Sequence, residues 1–261
     1  MPSMKPWHGG RIKKKQVKNK VMNMNKHLDL TIDFETCALS ANAAPMQVAV
    51  VPWLRDNDTD PFCNEEELKP YVAHIDLRTC VVDGFDFDPD TIKWWARQSE
   101  AAKDAVINGL PLSIHNVSLD LLLWIKEIVT KYQLESVCLW CQGMDVDIAI
   151  LRNLCRKYHQ DLESIVPHTS FRDCRTIILE AALIEAERSM NGTGTKANGV
   201  ALPFQILQNP SLAYELYDPL PKKYARGSEA HDALYDAMRS SWNTWQALKW
   251  LRQLIPYPFM S

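Results

Sequence analysis

The chain has no run of ~18 apolar residues long enough to cross a bilayer as a helix, and no apolar core of a secretion signal follows its first methionine. Neither a membrane protein nor a secreted one is expected, and the cytoplasm is the expected compartment. Cysteines do not come in an even set: seven are scattered at 37, 63, 80, 138, 141, 155 and 174. That pattern excludes a disulfide framework and suits free thiols in a reducing compartment. The close pair Cys138 and Cys141 has no second pair to complete a zinc site and no helix start behind it, so buried strand cysteines are preferred. No internal repeat is present, and no linker divides the chain. Acids are missing from the first 27 residues, which hold eight Lys/Arg. Such an arm either neutralises nucleic-acid phosphates or is a solvated, unfolded leader with Met22 or Met24 as the true start; like-charged terminal blocks favour the second. Bases are nearly missing from 56–90, where eleven acids face only Lys69 and Arg78. That segment is expected to form solvated loops that repel phosphate.

What is present is an ordinary globular composition, 46% hydrophobic and 23% charged over 261 residues, enough for a sizeable core. "LDLTIDFE" (28–35) and "PMQVAVVPW" (45–53) read as core strands, and a third strand is expected within 71–82. Helical periodicity marks 91–106 and 118–132, with the buried strand "SVCLW" (136–140) after them. A helix through "DVDIAILRNLCRKYH" follows, with Ile148, Leu151 and Leu154 on one face; then come a short strand "FRD" and a helix over 174–189. Residues 190–227 have little periodicity. A final helix over about 229–253 carries Leu234, Met238, Trp242 and Trp245 along one stripe. Strands first and then strands alternating with helices predict an α/β fold, a mixed central sheet flanked by helices. One domain is expected over 28–255, behind an arm of 1–27.

Strand side chains alternate, so "LDLTIDFE" sets two acids, Asp33 and Glu35, side by side where the sheet ends. Two unit charges ~4 Å apart repel by about 4 kcal/mol at an effective dielectric near 20. A second pair stands in "GMDVDIAIL", where Asp145 suits a helix N-cap and Asp147 is free to face a site. A third element is "AHDALYDAMRS", with His231 at or before a helix start and Asp236 just over one turn inside it. Taken singly, these have bland readings as solvated strand-end acids, a helix-terminal histidine and an exposed helix face.

Together they resemble the DnaQ-like DEDDh 3'-5' exonucleases on an RNase H-like fold. The ordered segments "DFET", "TIKWWARQS", "LWCQGMDVDIAIL", "FRDCRTIILEA" and "AHDALYDA" are similar to those of phage exonuclease A and its mycobacterial exoribonuclease relatives, over residues 28 to about 250. The resemblance implies that Asp33, Glu35, Asp147 and Asp236 bind metal and that His231 is the general base. Oxygen ligands favour hard ions, so two Mg2+ or Mn2+ are expected. Asp33 is implied to bridge them, with Glu35 and Asp236 on the side of the attacking water and Asp147 on the leaving-group side. The implied partner is single-stranded DNA or RNA with a free 3' end, with DNA favoured by the likeness to the phage enzyme and nucleoside 5'-monophosphates as products. An RNA-trimming enzyme and a non-catalytic RNase H-like binding module are the alternatives. The resemblance leaves room for a homodimer.

The motif departs from the usual proofreading pattern: after Asp33 and Glu35 come Thr36, Cys37, Ala38 and Leu39, with alanine where glycine is usual. Leu39 either wedges against a terminal base or packs in the core. Trp94 and Trp95 either stack on bases or, as preferred, pack in the core. Asp173 is expected to cap or support a helix. Lys222, Lys223 and Arg226, just before His231, either hold substrate phosphates or lie on a solvated loop.

Overall fold

The computed structural model describes residues 26–62, 68–193, 202–225 and 231–254. The basic arm up to residue 25, Cys63 and Arg226 therefore lie outside the described residues. In chain order the elements are β1 (His27–Thr36), β2 (Pro45–Trp53), β3 (Tyr71–Ile75), α1 (Leu77–Val82), α2 (Pro89–Ala96), α3 (Glu100–Ile107), β4 (Pro111–Leu112), α4 (Ile114–Lys131) and β5 (Ser136–Cys141). They continue with α5 (Asp147–Lys157), β6 (Phe171–Asp173), α6 (Cys174–Thr193), α7 (Pro203–Gln208), α8 (Lys222–Ala225) and α9 (Ala233–Leu254). The six strands form one sheet in the order β4-β3-β2-β1-β5-β6. β2 runs antiparallel to both β1 and β3, whereas β5 runs parallel to β1 and β6. The expected α/β class, a mixed sheet flanked by helices, is borne out.

β1 lies inside the sheet although its sequence alternates like a half-solvated strand. Its even-numbered Leu28, Leu30, Ile32 and Phe34 join one core with Leu121 and Ile125 of α4 and Ile148 and Leu151 of α5. The opposite face packs under α6 and α9 through Trp53, Trp140, Ile178, Trp242 and Trp245. That face carries the polar set of β1. Thr31 accepts a bond from the Trp53 indole at 2.9 Å, and Asp29 accepts one from Trp140 at 2.7 Å and pairs with Arg55. Burial of these groups is tolerated because each finds a partner.

Two local features depart from the sequence expectation. The helix expected over 91–106 is two helices, because Ser99 accepts from the Ala102 amide and caps α3 after α2 has ended at Arg97. The third strand lies within 71–82 as expected, over 71–75, and Asp76 caps α1 immediately afterwards. Asp145 does not cap α5: the cap position is Val146, which makes no side-chain bond. Asp173 does take a capping role, accepting from the Thr176 amide at 3.2 Å at the start of α6.

Candidate active site

A cleft of ≈ 640 Å³ opens where the C-terminal end of β1 meets the starts of α5 and α9. Its polar floor is formed by Asp33, Glu35, Asp147, His231, Asp236 and Arg239. Each element delivers its acid for a local reason. A register shift between Glu35 and Thr36 bends the end of β1, a strand irregularity of the kind that re-aims side chains. Asp147 enters from the β5–α5 connection, where Gly143 has φ +121° and its carbonyl accepts from the Val146 and Asp147 amides. A side chain at Gly143 would be strained at that φ. The Asp147 carboxylate is then tied to β1 by the Phe34 amide at 3.0 Å.

α9 supplies the third contribution. The His231 backbone has φ +71°, unusual for a residue other than glycine. It is held there by its own amide, which donates to Asp236 Oδ2 at 2.8 Å. The Trp94 ring meets the His231 ring edge to face, with centroids 4.7 Å apart. Beneath this turn lies Gln47, a buried polar side chain in the middle of apolar β2. Its Oε1 accepts from the Ala233 amide at 2.9 Å, while its Nε2 donates to Asp232 at 3.3 Å and to the Ala105 carbonyl at 3.3 Å. Gln47 thus bolts the start of α9 to the strand residue opposite Glu35.

The electrostatics answer why like charges crowd here. Burial, then the charges of Asp147, Glu35 and Asp236, push the Asp33 carboxyl well above its usual range. Burial, then Asp236, Asp147 and Asp232, push Glu35 up to about 8. Burial pushes Asp147 up to about 7, opposed by the Phe34 amide and by Arg175. Asp33 keeps partial exposure through the cleft. One oxygen or nitrogen each of Glu35, His231 and Asp236 lie within 4.8 Å of one another. Asp236 Oδ1 is buried without a well-aligned hydrogen bond, although an Arg239 nitrogen stands 2.8 Å away. Crowded carboxylate oxygens, with Asp236 Oδ1 facing the Arg239 guanidinium, are a donor set that fits a divalent cation.

The remaining candidates divide. Leu39 is 71% exposed beside the cleft and is not a core residue. Trp95 is buried at the cleft wall and donates to the Thr36 carbonyl at 2.9 Å, so core packing describes it better than an open stacking platform. Trp94, on the same helix, presents the more exposed ring. The Thr36 hydroxyl is engaged with the Ala38 carbonyl at 2.6 Å. Lys222 and Lys223 are not brought to the cleft. Lys223 pairs with Asp60 at 2.7 Å, in the loop after β2, at the end of the sheet away from Glu35. Sequence reasoning missed Gln47 and Arg239. A glutamine inside "PMQVAVVPW" was one signal, and an arginine one helical turn after Asp236 was the other.

The model for the 3'-5' exoribonuclease Rv2179c-like domain matches residues 28–202. Comparison with curated proteins yields no match. Among solved structures, the zinc-bound complex of E. coli ExoI with single-stranded DNA is similar at 15% identity and a TM-score of 0.48, covering 88% of this chain and 41% of that one. The chain thus spans about two fifths of the length of that protein.

Proposed function

The chain belongs to the 3'-5' exoribonuclease Rv2179c-like family, and from that premise we propose that it removes nucleotides one at a time from the 3' end of single-stranded nucleic acid. Asp33, Glu35, Asp147 and Asp236 would hold two divalent cations, Mg2+ or Mn2+. When bound, such ions neutralise the carboxylates and polarise the scissile phosphate and the attacking water. The observation that best supports this reading is the crowding of Glu35, His231 and Asp236 donor atoms within 4.8 Å, from two segments far apart in sequence.

The protein's own residues then have distinct tasks. Glu35 and Asp236, which offer donor atoms within 4.8 Å of one on His231, would serve the side where water attacks, and Asp147, tied to the Phe34 amide at 3.0 Å, would serve the side of the departing 3' oxygen. His231 takes the proton of the attacking water, with its ring plane set by Trp94 and its backbone by Asp236. Water adds to phosphorus and the P–O3' bond breaks. The released nucleotide carries a 5'-phosphate, the departing 3' oxygen takes a proton from solvent water to become the 3' hydroxyl of the shortened strand, and His231 returns its proton to solvent. Leu39 and Trp94 form the apolar wall against which the terminal base rests.

The likeness to the phage enzyme favours DNA, and the family to which the chain belongs is named for RNA. Digestion of matched 3'-labelled DNA and RNA oligomers in Mg2+ and in Mn2+ decides the sugar. Mononucleotide release by the wild type and none by Asp33→Asn is the expected result. Equal release by the variant would trace the activity to a contaminant, and no release by either would leave a non-catalytic binding module.

A further inference from the structure

Arg239 stands one helical turn after Asp236, lines the cleft, and holds a guanidinium nitrogen 2.8 Å from Asp236 Oδ1. This is the carboxylate oxygen that has no well-aligned hydrogen bond. A basic group is thus parked on an atom suited to a divalent cation. Of the other described basic groups near the acids, Arg175 donates to the Gln142 carbonyl at 2.8 Å, and Arg97 lines the same cleft from the end of α2. The Arg239 side chain is 39% exposed, so it has room to move, and the Tyr235 ring lies 5.8 Å from its guanidinium.

We propose that Arg239 is an exchangeable counter-ion, held by Asp236 in the metal-free cleft and passed to the non-bridging oxygens of the scissile phosphate when substrate and divalent ions bind. The inference rests on the metal-dependent nuclease reading above. Four carboxylates, two divalent cations and one phosphodiester leave a single negative charge, and one guanidinium cancels it. The planar fork suits both partners, because carboxylate and phosphate offer the same paired-oxygen geometry. One side chain thereby offsets part of the acids' repulsion in the resting protein and part of the phosphate's charge in the loaded one.

The test separates metal binding from turnover. Calorimetric titration of the whole chain with Mn2+, without nucleic acid, is expected to show Arg239→Gln binding Mn2+ roughly two- to fivefold more tightly than wild type, because a competing cation has gone. At saturating Mn2+ the same variant is expected to turn over at least ~10-fold more slowly, having lost a charge that meets the phosphate. Arg239→Lys restores the competition with Mn2+ but recovers turnover only in part, since lysine lacks the fork. Melting curves confirm that both variants fold. A role in structure alone would weaken Mn2+ binding and turnover together, and that outcome, or an unchanged Mn2+ affinity in Arg239→Gln, overturns the proposal. A wild type that neither takes up Mn2+ nor releases nucleotide would instead remove the nuclease reading on which it stands.

Discussion

His231 is the residue whose role is most sharply open to measurement, because its ring belongs to a close donor trio with Glu35 and Asp236 and yet is proposed for proton transfer. A base and a ligand differ in what their removal does. His231→Ala is expected to lower kcat by about 10²–10⁴ while Mn2+ binding by calorimetry stays near wild type. A parallel collapse of Mn2+ binding would make the histidine a ligand. The φ of +71° at this position is costly for a side-chain-bearing residue, on the order of 1–3 kcal/mol. The Asp236 carboxylate offsets it by accepting the His231 amide. In the proposed reaction the same acid would position the base with one oxygen and offer the other to a cation.

Among the elements, α9 and β2 carry the site's precision. α9 brings both His231 and Asp236, and its first turn is pinned by a buried glutamine rather than by packing alone. Gln47→Leu keeps the apolar volume of β2 but strands the Ala233 amide and releases Asp232. The variant is expected to lose about 1–3 kcal/mol of stability by denaturant titration and to lower kcat roughly 10-fold with KM little changed. Hydrogen exchange at 232–236 would accelerate. Unchanged exchange there would refute the anchoring role. The break between α2 and α3 is local: α2 ends at Arg97 and Ser99 caps α3, which leaves Trp94 and Trp95 at the end of a short helix beside the cleft.

For the whole molecule, two buried charge systems sit at opposite ends of β1. Near its start, Asp29 is held between Arg55, His27 and Trp140; the bond to Asp29 chiefly raises His27 from 6.5 to about 9. Near its end lie the crowded acids. In both, the folded protein keeps a proton that the unfolded chain has lost, so the stability contributed below the unfolded pKa is lost as pH rises through the folded one. For Glu35 and Asp147 that window runs from the ordinary carboxylate range up to about 8 and about 7. In EDTA the melting temperature is expected to fall by roughly 4–8 °C between pH 5 and pH 8, taking ~2 kcal/mol lost and ~2–4 °C per kcal/mol for a chain of this size. Excess Mg2+ or Mn2+ should raise it again, most of all at the high-pH end. His27→Gln isolates the cleft by removing the other titration. A melting temperature that is flat with pH and indifferent to cation would contradict the electrostatic account of the site.

The chain order of apolar and polar residues by itself determined the strands, most of the helices and the acids at their ends, because those follow from periods of two and 3.6 along a local segment. It marked "DFET" and "AHDALYDA" as chemically unusual, and Asp173 as a helix cap. Other features depended on partners distant in sequence. Strand β1 reads as a core strand from its sequence, but the partners of its buried polar side chains, Trp53, Trp140 and Arg55, come only with the packed sheet. Lys223 lies close to His231 in sequence, but its bond to Asp60 takes it to the other end of the sheet. Gln47 and Arg239 matter only because α9 comes to rest on β2 and β1. Local pattern governs backbone shape, whereas a buried polar group's partner is chosen by long-range packing, and that choice exists only once the sheet is covered.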